Sequence, residues 1–144
     1  MESVKIVIKF NASAKDLWQG WTSPSHVKRW FGSDSNGWVL EANLDVKATG
    51  KYSISFADSD GATHTCSGTY YEVIEYEQLV FSWEWKSEPG HESLVKIFFK
   101  EIDSVTTMEF EHANLNPQSL HGYHDGWKSG FEKLDRALKS ELLT

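Results

Sequence analysis

Residues 117–144 read PQSLHGYHDGWKSGFEKLDRALKSELLT. Leu120, Tyr123, Trp127, Phe131, Leu134, Leu138 and Leu142 recur there at steps of three or four, which at roughly 100° per residue sets them on one stripe of a helix. Asn116 and Pro117 supply its start, an N-cap followed by a proline in the first turn. Gly122, Gly126 and Gly130 fall along the neighbouring edge. An interior glycine costs a helix about 1 kcal/mol relative to alanine, so three at i, i+4 and i+8 need a packing reason. Either a ligand or another backbone approaches that edge and the helix closes over a cavity, or the helix packs tightly on a strand with no ligand between.

The rest of the chain supplies the surface under that helix. Val4, Ile6, Ile8 and Phe10 alternate with Lys5, Val7 and Lys9, the period of a strand with one buried face. Ser13 with Asp16, and Ser23 before Pro24, start two short helices whose apolar sides are Leu17, Trp18 and Trp21, then Val27, Trp30 and Phe31. Gly32 to Gly37 breaks the chain. Strands follow with Trp38, Leu40 and Ala42 on one face, then Tyr52, Ile54 and Phe56 after Gly50. Asp58 to Gly61 makes a tight turn into a long strand from Thr63 to Ile74. Leu79 to Lys86 carries Phe81, Trp83 and Trp85 on one face, and two further strands carry Val95, Ile97 and Phe99, then Thr106, Met108, Phe110 and His112. Hairpin-length connections predict an antiparallel α+β sheet of about seven strands, its buried face covered by the C-terminal helix. No repeat, linker or low-complexity tract divides residues 1–144, so one domain is expected.

Composition narrows the function. Fourteen basic against 21 acidic residues give a net charge of −7, and the two short helices form a helix–turn–helix by shape only, so no nucleic-acid partner is expected. Cys66 is the one cysteine, which excludes an intrachain disulfide and suits a reducing compartment. Its place inside a strand predicts a buried, inert thiol. No segment has the roughly 18 apolar residues of a membrane span, and Met1 to Phe10 lacks the apolar run of a secretion signal. A soluble, cytoplasmic protein without membrane insertion is expected. Seven tryptophans among 144 residues hint that some rings line more than one another.

Several segments in order resemble a known family: Leu17-Trp18 through Trp30-Phe31, Gly50-Lys51-Tyr52, Gly68 leading to Glu72-Val73, Leu79 to Trp85, Thr107 to His112, and Gly126-Trp127 ahead of Leu134. Together they resemble the branch of the START-like (SRPBCC) superfamily named after the activator of the heat-shock-protein-90 ATPase. The resemblance covers nearly the whole chain and implies a helix-grip fold, an antiparallel sheet wrapped around a long C-terminal helix with an apolar pocket between. The superfamily includes small-molecule binders, aromatase/cyclases and co-chaperones, so it leaves activity open. Only one module of the eukaryotic co-chaperone has a counterpart here, which sets chaperone contact below ligand binding.

Alternation turns Tyr52, Phe56, Phe81, Trp83, Trp85, Phe110 and His112 inward, with Tyr123 and Trp127 facing them from the helix and Trp30 and Trp38 at the mouth. Each ring either lines a pocket or fills the core. His124 lies at the edge of the apolar stripe, where it either donates into the pocket or is solvated. His112, His121, His124 and Asp125 are the only metal-like grouping, without a second ligand pair, so neither a metal nor a cofactor is expected. No Gly-x-Ser-x-Gly elbow or phosphate-binding glycine loop occurs, and no catalytic residue is assigned. Glu72 is read as an outward, solvated carboxylate. The expectation is a pocket for a small hydrophobic or aromatic molecule without chemistry of its own. The alternatives are a cyclase in which His112, His124 or a tyrosine moves a proton, and a co-chaperone acting through its outer surface. Oligomeric state is left open.

Overall fold

The computed structural model describes the backbone of residues 2–142 and the side chains of residues 2–140. The Leu142 side chain, expected on the helical stripe, lies outside the described residues, as do residues 1, 143 and 144. The elements run β1 (Glu2–Phe10), α1 (Ala14–Thr22), α2 (Pro24–Val27), β2 (Trp38–Leu44), β3 (Lys51–Ala57), β4 (Thr63–Ile74), β5 (Gln78–Trp85), β6 (Ser93–Ile102), β7 (Val105–Leu115) and α3 (Leu120–Leu142), the last preceded by a 3₁₀ turn at Pro117–Ser119. The strands form one antiparallel sheet in the order β1-β7-β6-β5-β4-β3-β2. This is the α+β helix-grip architecture: six strands meander, β1 closes against β7, and the two short helices cross from one edge of the sheet to the other.

Local chemistry sets the boundaries. The Ser13 hydroxyl accepts the Asp16 N–H at 3.1 Å, and Glu101 Oε1 accepts the Ala14 N–H at 2.7 Å, so the first donors of α1 are satisfied. Leu17, Trp18 and Trp21 bury its inner face, as their spacing predicts. The second helix is shorter than expected: it ends at Val27, and Trp30 and Phe31 reach the core from the turns that follow. Asn116 precedes Pro117 without a side-chain cap, and the first turn there is 3₁₀.

Two strands depart from simple alternation. The β2–β3 register slips by one residue between Val39 and Glu41, a bulge at Leu40 that reverses which residues face the core. Val39 and Ala42 therefore point inward, while Trp38 and Leu40 stand 51% and 50% exposed on the outer surface. A second slip, between Tyr70 and Glu72, leaves Tyr71 and Glu72 both exposed, with Glu72 accepting a hydrogen bond from the Gln78 amide. At Gly68 a side chain would strike the Ser82 backbone oxygen of β5, so only glycine permits the strands to approach there.

The core is one cluster gripped between sheet and helices. Trp21 lies at its centre, with ring centroids 4.8 Å from Trp30, 6.0 Å from Phe131 and 6.2 Å from the stacked ring of Phe110. Along α3 the stripe is unevenly buried: Trp127, Phe131, Leu134 and Leu138 are buried, whereas Leu120 and Tyr123 are only partly so. The second half of α3 thus seats on the sheet and the first half stands over a gap.

Candidate functional site

A cavity of about 450 Å³ occupies that gap. Its apolar wall is Trp30, Phe31, Phe56, Trp83 and Trp127; polar groups enter from His64, Trp85, Tyr123, Ser87 and Glu88, and Gln118 and Ser119 border it beside the helix start. Four of the seven tryptophans line it, which accounts for much of the aromatic content. The volume falls within the few hundred to a thousand Å³ typical of small-molecule sites.

The three helix glycines are its floor on the α3 side. Gly122 lines the cavity at an exposed position, and a Cβ placed on it would meet nothing within 4 Å. On Gly126 it would lie 3.1 Å from Ser33 Cβ, and on Gly130 3.5 Å from the Gly32 carbonyl oxygen and 3.6 Å from the Trp30 ring. The glycine edge thus faces no strand: Gly126 and Gly130 admit the loop at Gly32 and Ser33 and the Trp30 ring, and Gly122 borders the cavity. The approaching loop is pinned by Lys133, whose ammonium donates to the Asp34 carbonyl at 2.8 Å. Burial lowers the Lys133 pKa, with partial compensation from Asp34. The Asp34 carboxylate accepts from the N–H groups of Ser59 and Asn36 and from the Ser59 hydroxyl, which hold its pKa at about 2.

Of the residues expected to line a pocket, Trp30, Phe56, Trp83, Trp85, Tyr123 and Trp127 surround this cavity. The remaining six do not. Tyr52 and Phe81 pack deeper, 5.2 Å apart around a void of about 10 Å³, and the Tyr52 hydroxyl donates to the Ser82 carbonyl at 2.7 Å. Phe110 fills core between Trp127 and Phe131. Trp38 is carried outward by the bulge at Leu40, away from the mouth. His124 is exposed and faces Asp125 at 3.6 Å, with His121 on the same carboxylate at 3.0 Å. His112 is fully buried behind the cavity wall, so the four-residue metal-like grouping is split between core and surface.

Hydrogen bonding fixes the role of His112. The Trp127 indole N–H, a donor only, reaches His112 Nδ1 at 3.0 Å, so Nδ1 carries the lone pair and Nε2 the proton. Nε2 then donates to Ser93 Oγ at 2.7 Å, and the Ser93 hydroxyl donates to the Trp83 carbonyl at 3.3 Å. Burial lowers the His112 pKa to about 3. Both ring nitrogens are thus occupied, and the imidazole orients Trp127, a wall of the cavity.

Two other polar groups keep unused capacity. Tyr123 Oη accepts the Trp85 indole N–H at 2.7 Å, and its own proton has no acceptor among the described residues. Burial raises the Tyr123 pKa against that hydrogen bond, so the phenol stays protonated. The Trp83 indole N–H is buried without a hydrogen-bond partner. His64 is among the lining residues that the sequence pattern did not mark, with Phe31, Ser87, Glu88, Gln118 and Ser119; its Nε2 contacts Asp58 Oδ2 at 2.8 Å. A histidine in the strand paired with Asp58 across the turn was the available signal.

The family of activator of Hsp90 ATPase homolog 1-like proteins matches residues 11–139. The chain belongs to that family. Among solved structures it is similar to the AHSA1 protein of Silicibacter pomeroyi, at 19% identity over 97% of this chain and 99% of that one, with a TM-score of 0.86. It is similar to a Nitrosomonas europaea protein at 19% identity over 99% and 97%, TM-score 0.85, and to CalU16 of Micromonospora echinospora at 24% identity over 98% and 78%, TM-score 0.71. These likenesses establish the helix-grip fold. No curated protein matches the chain. Among the described residues, no helix is long and apolar enough to cross a membrane.

Proposed function

We propose that this member of the family binds one small, largely aromatic or hydrophobic molecule in the cavity beneath the first half of α3. The observation that carries the reading is the cavity of about 450 Å³ walled by four tryptophans, with Gly122 on its exposed edge, where a Cβ would meet nothing within 4 Å and alanine would be more stable in the helix. Aromatic walls favour flat ligands through edge-to-face and offset stacking, and the Tyr123 hydroxyl suits an acceptor atom on the ligand. His112, with both nitrogens engaged, and the exposed His124 support binding over proton transfer by either histidine. The buried Cys66, whose thiol pKa burial raises, suits a reducing compartment, and we assign the cytoplasm on that ground. Native mass spectrometry of freshly purified protein tests the binding reading. A co-purified molecule of small-ligand mass that is lost from a Gly122→Phe variant is the expected result; a molecule retained equally by both would place it elsewhere.

A further inference from the structure

Resting on that binding reading, the geometry points to a more specific ligand class: an aromatic molecule bearing an acidic hydroxyl, a phenol or enol, donated to His64 Nδ1. His64 lies opposite Phe56 in the β3–β4 register, and its ring centroid is 5.3 Å from Phe56 and 6.1 Å from Trp85; all three residues line the cavity. Its other nitrogen, Nε2, is 2.8 Å from Asp58 Oδ2. An ionised carboxylate only accepts, so Nε2 carries a proton, and the neutral tautomer that this contact selects presents a lone pair at Nδ1. That atom has no partner among the described residues.

Asp58 is itself held in place. Its backbone N–H donates to the Ala62 carbonyl at 2.8 Å and its carbonyl accepts the Gly61 N–H at 2.9 Å, which closes the hairpin turn and aims the side chain at β4. Asp58 is therefore a positioning residue that fixes the His64 tautomer, and His64 is the group that touches the ligand. With His112 saturated in the core and His121 and His124 on Asp125, His64 supplies the imidazole acceptor of this cavity. A hydroxyl on an aromatic ring stacked near Phe56 and Trp85 meets it without leaving the apolar wall.

The test compares 2-naphthol with naphthalene by tryptophan-fluorescence titration of the full chain. The wild type is expected to bind 2-naphthol about tenfold more tightly, the worth of one hydrogen bond to a partly exposed acceptor. His64→Phe keeps the ring against Phe56 and Trp85, so it should retain naphthalene affinity while the preference vanishes. Asp58→Asn lets an amide N–H face Nε2 and frees the tautomer. Its ¹⁵N spectrum should show His64 moving away from the Nε2-protonated form as the preference shrinks. Equal affinities in the wild type, or a preference that survives His64→Phe, would overturn this inference while leaving the binding reading intact. Failure of both compounds to bind would count against the cavity reading and this inference together.

Discussion

The indole nitrogen of Trp127 lies 3.0 Å from Nδ1 of His112, and this contact joins the wall of the cavity to β7 of the sheet. Trp127 sits where α3 meets the strands, 5.2 Å from Trp83 and 4.7 Å from Phe110 between ring centroids. Its orientation depends on an acceptor that the sheet supplies from β7 and braces through Ser93 on β6.

Removing that acceptor should be costly. His112→Ala leaves the buried Trp127 donor unpaired and opens a void in the core, which together should destabilise the fold by about 2–4 kcal/mol. Trp127→Phe keeps most of the packing and should cost less. Urea unfolding of the two variants checks the order; a smaller loss for His112→Ala would show that the chain of hydrogen bonds contributes little.

The same histidine sets an acid limit. Its ordinary value of 6.5 is lowered by burial to about 3 in the fold, so between those values the unfolded chain binds a proton that the native protein does not. Stability from this group is complete above about pH 6.5 and declines as pH falls toward 3. Asp34, lowered from 3.8 to about 2 by its hydrogen bonds from Ser59 and Asn36, contributes stability that is lost only below about pH 4. Urea midpoints at pH 7, 5 and 4 should therefore fall in the wild type and flatten in His112→Gln. Parallel curves for the two proteins would assign the acid sensitivity to other groups.

The glycine row separates structural from ligand-facing positions. Gly122→Ala should stabilise the protein by roughly 0.5–1 kcal/mol, because the helix gains and no atom is displaced. At Gly126 the gain should be reduced or reversed, since Ser33 must yield from 3.1 Å. Thermal melts of the two single variants measure the difference, and equal shifts would mean that the loop at Ser33 adapts without resistance.

Strand alternation and the helical stripe were legible from the residues alone, because each depends on burial of one face. The bulge at Leu40 was not: one extra residue leaves no compositional mark, yet it turns Trp38 from the expected mouth to the outer surface. Depth along a strand was equally hidden. Phe81 and Trp83 share the inward face of β5, but Trp83 and Trp85 reach the cavity while Phe81 stays among Tyr52 and Tyr70 in the core. Alternation says which way a side chain points; it does not say whether α3 covers it. His64 was missed for a related reason, since the polar run Thr63, His64 and Thr65 lacks the apolar period that marks a buried face.

The central claim is that the space beneath Gly122 admits a ligand. Its most direct measurement is a fluorescence titration of the wild type and Gly122→Phe with 2-naphthol, with circular dichroism to show that both are folded. A saturable one-to-one change in the wild type that is abolished in folded Gly122→Phe is the predicted result. No saturable change in the wild type, or equal binding by both proteins, would contradict it.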